Sequence, residues 1–301
     1  MTSAQLQAFI TVARANSFTS AAILLGISQS AVSHAIKSLE EELGVSLFVR
    51  SKVEITLTAF GEKILSKAHQ ILGLYESIQQ ESQETKNLHT GVLKIASFGP
   101  SFSARILPII LKEYHRQYPN IKIHVEEAED SVVKQLVANR KVDLGSIVLP
   151  DKNLDYVYLT SDQVCIILPK GHTLSKQQEI HIQDLAKFPF ILTEGTSGNM
   201  VMELFKKSQL QPNIIYYNMQ IMSMLGMVSH GAGISASAEL SIPPLDAHGV
   251  PSFVVKPLNP ELKREIGLAM HNIHTLSPAA KAFVKTSSRL EREGKLKFSD
   301  C

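Results

Sequence analysis

SFTSAAILLGISQSAVSHAIKSLEEELG, running from Ser17 to Gly44, holds two helices and the tight turn between them. Ser17 and Thr19 are both plausible N-caps for a short helix over Ser20 to Leu25, and Gly26 supplies the left-handed residue that closes it. Ser28 then caps a second helix, in which Val32, Ile36, Leu39 and Leu43 recur at i, i+4, i+7 and i+11 before Gly44 ends it. The opposite face carries Gln29, Ser30, Ser33, His34 and Lys37, hydrogen-bonding side chains suited to base edges. As a bare pattern this is also what a solvated helix face looks like.

Working outward, Leu6, Phe9, Ile10 and Ala13 mark an earlier helix that stops near Asn16. Downstream, Leu47 to Arg50 and Ile55 to Leu57 read as two short strands of a hairpin wing. Three helices and a wing make a winged helix-turn-helix over residues 1–58. A long helix follows over residues 59–89, where Ile64, Ala68, Ile71, Tyr75 and Ile78 are spaced 4, 3, 4, 3. That seam is too long for a small head to cover and predicts pairing with a second copy.

From residue 90 the pattern becomes alternating strands and helices, read as a parallel α/β body reaching residue 301. Its candidate ligand-binding residues lie where strands give way to helices, at Ser97, Gly99, Ser101, Phe102 and Ser103, at Ser146, and at Thr196, Ser197 and Gly198. Hydroxyls and free N–H groups at two helix starts suit a carboxylate or other small anion. Helix capping is an equally common job for them. Neither loop holds Arg or Lys, which favours a weakly anionic, zwitterionic or partly apolar ligand. His230, before Gly231, is either a titrating cleft residue or a helix C-terminal one.

Composition sets the outer limits. The chain has 301 residues, 44% hydrophobic and 19% charged, enough for about two folded domains of ~150 residues. Thirty Lys and Arg against 28 Asp and Glu give +2, and the first sixty residues balance to zero, so attraction to phosphate is modest. Two cysteines, Cys165 and Cys301, without a CxxC argue against a disulfide framework or thiolate zinc site; Cys165, in an apolar run, reads as a buried inert thiol. No basic-then-apolar leader and no apolar run near 18 residues is present, which fits the cytoplasm and no membrane partner. Gly231-Ala-Gly233-Ile-Ser-Ala236 imitates a dinucleotide loop but follows a helix instead of a strand. No catalytic constellation and no cofactor motif is found.

The stretch with Leu6 and Phe9, Ser17-Phe18-Thr19 with Ala21 and Ala22, Ser28 to Ser33 with Ile36, Leu39 and Glu40, Leu47-Phe48 with Arg50, and Leu57-Thr58 with Gly61 resembles the LysR-type transcriptional regulators. Some twenty positions match over about sixty residues, and the two-part layout matches along the whole chain. The resemblance implies a DNA-binding head, a dimerising linker helix, and an effector body like a type 2 periplasmic binding protein. The body's lobes would fall at 91–161 with 267–301, and at 162–266. It implies operator DNA read through Thr19, Gln29, Ser30, Ser33, His34 and Lys37, with Arg50 and Lys52 of the wing on phosphates. It further implies a small-molecule effector between the lobes, homodimers and homotetramers, and contact with RNA polymerase as a further possibility. Ser30 stands where the family usually has proline and His34 where it often has arginine. The competing reading is a cytoplasmic small-molecule binding protein whose head only dimerises.

Overall fold

The computed structural model describes residues 1–50, 55–84, 90–217, 220–243 and 253–298. Thr2 and Gln5 form a reciprocal capping box at the start of α1 (Ser3–Ala15), and Asn16 closes it in the left-handed region at φ 49°. Ser17 accepts from the Ser20 N–H to open α2 (Phe18–Leu25), so of the two candidate caps Ser17 takes the role. Ser28 accepts from the Ala31 N–H to open α3 (Gln29–Leu43), which ends at Gly44 with φ 70°. Val32, Ile36 and Leu39 are fully buried with Leu6, Phe9 and Val12 of α1.

The wing is the antiparallel pair β1 (Phe48–Arg50) and β2 (Ile55–Leu57). Phe48 anchors it, meeting Phe9 and Phe18 edge-on at 5.5 and 6.0 Å between centroids. Glu40 fixes the strand's approach by accepting from the Leu47 and Phe48 N–H groups at 2.7 and 3.3 Å. α4 (Ala59–Glu84) starts against this wing. A Cβ on Gly61 would stand 2.2 Å from the Leu47 carbonyl oxygen, so only glycine permits that approach. Ala68 and Leu72 of α4 complete the head's core.

The body opens with β3 (Gly91–Ser97) and a π-wound turn over Ser101–Ile106 that leads into α5 (Leu107–Gln117). Pro108 lacks the N–H that would bond to the fourth residue back, and the turn ahead of it winds wider, Leu107 N–H reaching Phe102. Then come β4 (Ile121–Glu127), α6 (Asp130–Ala138), β5 (Leu144–Leu149), β6 (Asp155–Pro169), β7 (Ile180–His181) and α7 (Ile182–Leu185). They are followed by β8 (Pro189–Ile191), α8 (Thr196–Lys207), β9 (Asn213–Tyr216), α9 (Ile221–Ser229), β10 (Ile234–Ala238), β11 (Phe253–Asn259), β12 (Lys263–Met270) and α10 (Pro278–Arg292).

The strands run in the order β4-β3-β5-β12-β6-β10-β8-β9, with β11 also on β6. The body is mixed rather than parallel: β3 pairs parallel with β4 and β5, but β12 is antiparallel to β5 and β6, and β6 to β10 and β11. The fifteen-residue β6 passes from one hydrophobic core into the other. Leu159 packs with Phe102, Ile266 and Phe283, whereas Val164, Ile166 and Leu168 pack with Phe190, Val201 and Phe205. Both cores hang on strands that cross between them, and such strands run antiparallel because the chain goes out on β6 and returns on β12. Cys165 is fully buried, as expected, but is disulfide-bonded rather than a free thiol, its partner lying outside the described residues. An apolar site shields a disulfide as readily as a thiol, so burial did not decide between them. Among the described residues, no helix is long and apolar enough to cross a membrane.

Candidate functional site

On the head, the start of α3 projects from the protein. Thr19, Gln29, Ser30, His34 and Lys37 are exposed and Ser33 half-exposed, all on the side away from Val32, Ile36 and Leu39. The Gln29 amide donates to the Ser33 hydroxyl at 2.9 Å, and Ser28 and Ser30 share a hydrogen bond of the same length. Lys37 stands 3.7 Å from Glu41, a loose, solvated pair. The arrangement offers a bidentate amide and short hydroxyls in the first turns of a helix narrow enough for a major groove. The side chain of Arg50 and all of Lys52 lie outside the described residues.

In the body, a cleft of about 470 Å³ opens between the two cores. Gly99 and Ser101 line it from the turn before α5, and Thr196 and Ser197 from the first turn of α8. Four of the expected effector residues therefore meet there. The other six lie outside its lining. Ser97 and Ser103 hydrogen-bond each other at 2.6 Å, and Ser97 is fully buried. Phe102 fills the first core at 0% exposure, because its helical turn rotates it away from the cleft. The buried Ser146 hydroxyl accepts from the Phe98 N–H at 3.0 Å. Gly198 lets α8 press on the Thr193 carbonyl, which a Cβ would approach to 2.0 Å. His230 caps the exposed C-terminus of α9, its Nδ1 2.8 Å from the Gly226 oxygen.

The cleft floor was not anticipated from the loops. Arg264 of β12 reaches into it, and its Nε and one terminal nitrogen donate to both oxygens of Asp162 on β6 at 2.8 and 2.6 Å. Both side chains are nearly sealed, 3% and 2% exposed. The same guanidinium donates to Ser101 at 3.0 Å, lies 3.5 Å from the Ser197 hydroxyl, and stands 5.7 Å from the Phe98 centroid. A cation from the crossing strands thus replaces the Arg or Lys the loops lack, although Asp162 neutralises it. Ser237 also lines the cleft, 5% exposed, with no hydrogen-bond partner for its hydroxyl among the described residues. Glu127, Glu129, Asp130 and Glu194 occupy the rim, where Asp130 is tied to Lys134 at 2.8 Å. The cleft as a whole is acid-rimmed over a guanidinium floor.

On α4 the expected seam divides. Ile64 is half-buried and Ala68 1% exposed, both packed on the head's own core because α1 covers that end of the stripe. Ile71, Tyr75 and Ile78 are 42%, 46% and 65% exposed, and Leu74 joins them at 43%.

A family model for the bacterial regulatory helix-turn-helix protein of the LysR family matches residues 3–62, and one for the LysR substrate binding domain matches residues 86–290. The uncharacterized HTH-type transcriptional regulator YvbU of Bacillus subtilis is 30% identical over 295 residues, covering 96% of this chain and 99% of the relative. Among solved structures, full-length OxyR from Pseudomonas aeruginosa superposes with a TM-score of 0.74 at 24% identity, over 97% of this chain and 98% of that one. Full-length CbnR complexed with its target DNA gives 0.65 at 22% identity, over 96% and 99%. With both family models matched and a 30% identical relative covering 96% of it, the chain belongs to the LysR family of DNA-binding transcriptional regulators rather than to the enzymes.

Proposed function

We propose that this regulator is switched by a small zwitterionic molecule, carrying a carboxylate and an amine, held between the two lobes of its body. The observation that carries the reading is Arg264, whose guanidinium touches Ser101 from one lobe and Ser197 from the other at the point where the strands cross. A carboxylate on the floor meets the Ser101, Thr196, Ser197 and Ser237 hydroxyls and the N–H groups at the start of α8. An ammonium above it meets the carboxylates of Glu127, Glu129 and Glu194. A bare polyanion would face that acidic rim, which favours the zwitterion among the weakly anionic, zwitterionic and partly apolar ligands that the loops suggest. In this reading residues 1–58 form the DNA-reading head, 59–89 the dimerising linker and 90–301 the effector body. The protein works in the cytoplasm as a homodimer or a pair of homodimers.

Thermal unfolding of the full chain against amino acids, amines and simple carboxylates tests it. A midpoint that rises with the concentration of an amino acid, and not with the matching acid lacking the amine, supports the reading. The response should disappear in Thr196→Ala. A carboxylate that stabilises equally well with and without its amine sinks the zwitterion assignment.

A further inference from the structure

A second cavity, of about 570 Å³, lies outside the cleft, where the head and α4 meet the body. Its walls come from three units. α1 contributes Arg14, α4 contributes His69 and Glu76, and the body contributes Lys94 from β3 and Lys141 from the turn after α6. The junction is held by two contacts at its edge: Ser66 of α4 donates to the Asn139 side chain at 2.7 Å, and Lys94 pairs with Glu76 at 3.0 Å.

That ion pair leaves a surplus of positive charge. Arg14 and Lys141 have no ion-pair partner among the described residues. Arg140, also in the wall, spends its guanidinium on the neutral groups of His271 and Thr275, at 3.2 and 3.1 Å. Against these three cations stand one exposed carboxylate, Glu126, and His124 beside it. The ring of His69 registers the field. Burial first, then the charges of Lys141, Lys94 and Arg14, push its pKa down from 6.5 to about 4. The cavity does not face the position of a second copy. His69, Leu72, Gly73 and Glu76 lie on the side of α4 opposite the exposed Ile71, Leu74, Tyr75 and Ile78.

We propose that this junction is a second ligand site, which takes a small multivalent oxyanion such as a phosphorylated or polycarboxylate metabolite. Three cations from two separately folded parts of the chain, set against the single carboxylate of Glu126, leave a surplus that needs a counter-charge, and the space matches a small metabolite rather than a single chloride. Guanidinium and ammonium groups are the usual partners of phosphate and carboxylate oxygens. Because Arg14 belongs to the head and Lys141 and Arg140 to the body, an anion between them joins the two and fixes the angle at which the head is presented. The inference stands apart from the cleft and its ligand.

The test uses the full chain and inorganic pyrophosphate, with sodium chloride at matched ionic strength as the reference. The expected result is a saturable rise of several degrees in the unfolding midpoint that chloride does not give. Arg14→Gln combined with Lys141→Gln should reduce it to the chloride level, and Lys141→Arg should retain it; both residues are exposed, so the variants should fold. The carbon-13 shifts of the His69 ring should also titrate at higher pH when pyrophosphate is bound. A response that survives in the double variant, or is lost in Thr196→Ala of the cleft instead, overturns the assignment. So does the absence of any response beyond chloride.

Discussion

Gln29 holds its amide on Ser33 at 2.9 Å, so in the free protein its donor is already aligned along the helix face. Turning it onto an adenine exchanges one hydrogen bond for two. Gln29→Ala should cost about 1–3 kcal/mol of operator affinity in a gel-shift titration and leave binding to unrelated DNA unchanged; equal losses on both would remove Gln29 from base readout. The Asp162–Arg264 pair makes the opposite kind of claim, because both partners are sealed. Asp162→Asn leaves the guanidinium without its counter-charge and should lower stability by about 3–5 kcal/mol in urea unfolding, whereas removing both charges together should be far milder. This pair also marks where the site was legible. Ser101 and Thr196 were found from the sequence because strand-to-helix turns announce themselves by composition. Arg264 shares the face of Ile266 by simple alternation, and Asp162 that of Val164, a pattern that puts each charge on an apolar face. What alternation does not supply is that the strands carrying them are neighbours.

The exposed stripe of Ile71, Leu74, Tyr75 and Ile78 is an element-scale feature, since no one of these side chains is unusual alone. Ile71→Asp with Ile78→Asp should convert a dimer to monomers in analytical ultracentrifugation and abolish tight operator binding by removing the second head. A double variant that still sediments as a dimer would take the stripe out of the interface. Helices of the head were readable nearly to the residue because each has a serine, threonine, asparagine or glycine at its ends. The division of the seam was not readable, as Ile64 and Ala68 have the same spacing as Ile71 and Ile78. Only the presence of α1 over the first half distinguishes them. In the body, alternating strands and helices suggested parallel pairing throughout. Direction within a sheet depends on where each strand comes from, and β12 arrives from the far lobe.

At the scale of the molecule, two buried groups near the head–body junction oppose each other. Burial raises the Asp143 carboxyl from 3.8 to about 6, so between those values the folded chain holds a proton the unfolded chain has lost, and stability falls as pH rises. His69 does the reverse. The unfolded ring takes a proton below 6.5 and the folded one only below about 4, so its contribution to stability grows as pH rises through that window. The two slopes should largely cancel. Relative to the parent chain, His69→Gln should therefore shift urea stability in favour of pH 4.5 over pH 6.5, and Asp143→Asn should shift it the opposite way; parallel profiles for both variants would mean that neither group contributes to the slope.

The order of strands bears as well on how the protein is made. β12 lies between β5 and β6 in the sheet, yet along the chain it is the last strand among the described residues. As the chain leaves the ribosome, the head can close once Leu72 has emerged, and the second core once β11 has. The first core must wait for Ile266, Leu268 and Phe283, with β3, β4 and β5 already synthesised. The part of the body begun first is therefore completed last, and until then the nascent chain carries an open sheet edge for which chaperones and neighbouring chains compete.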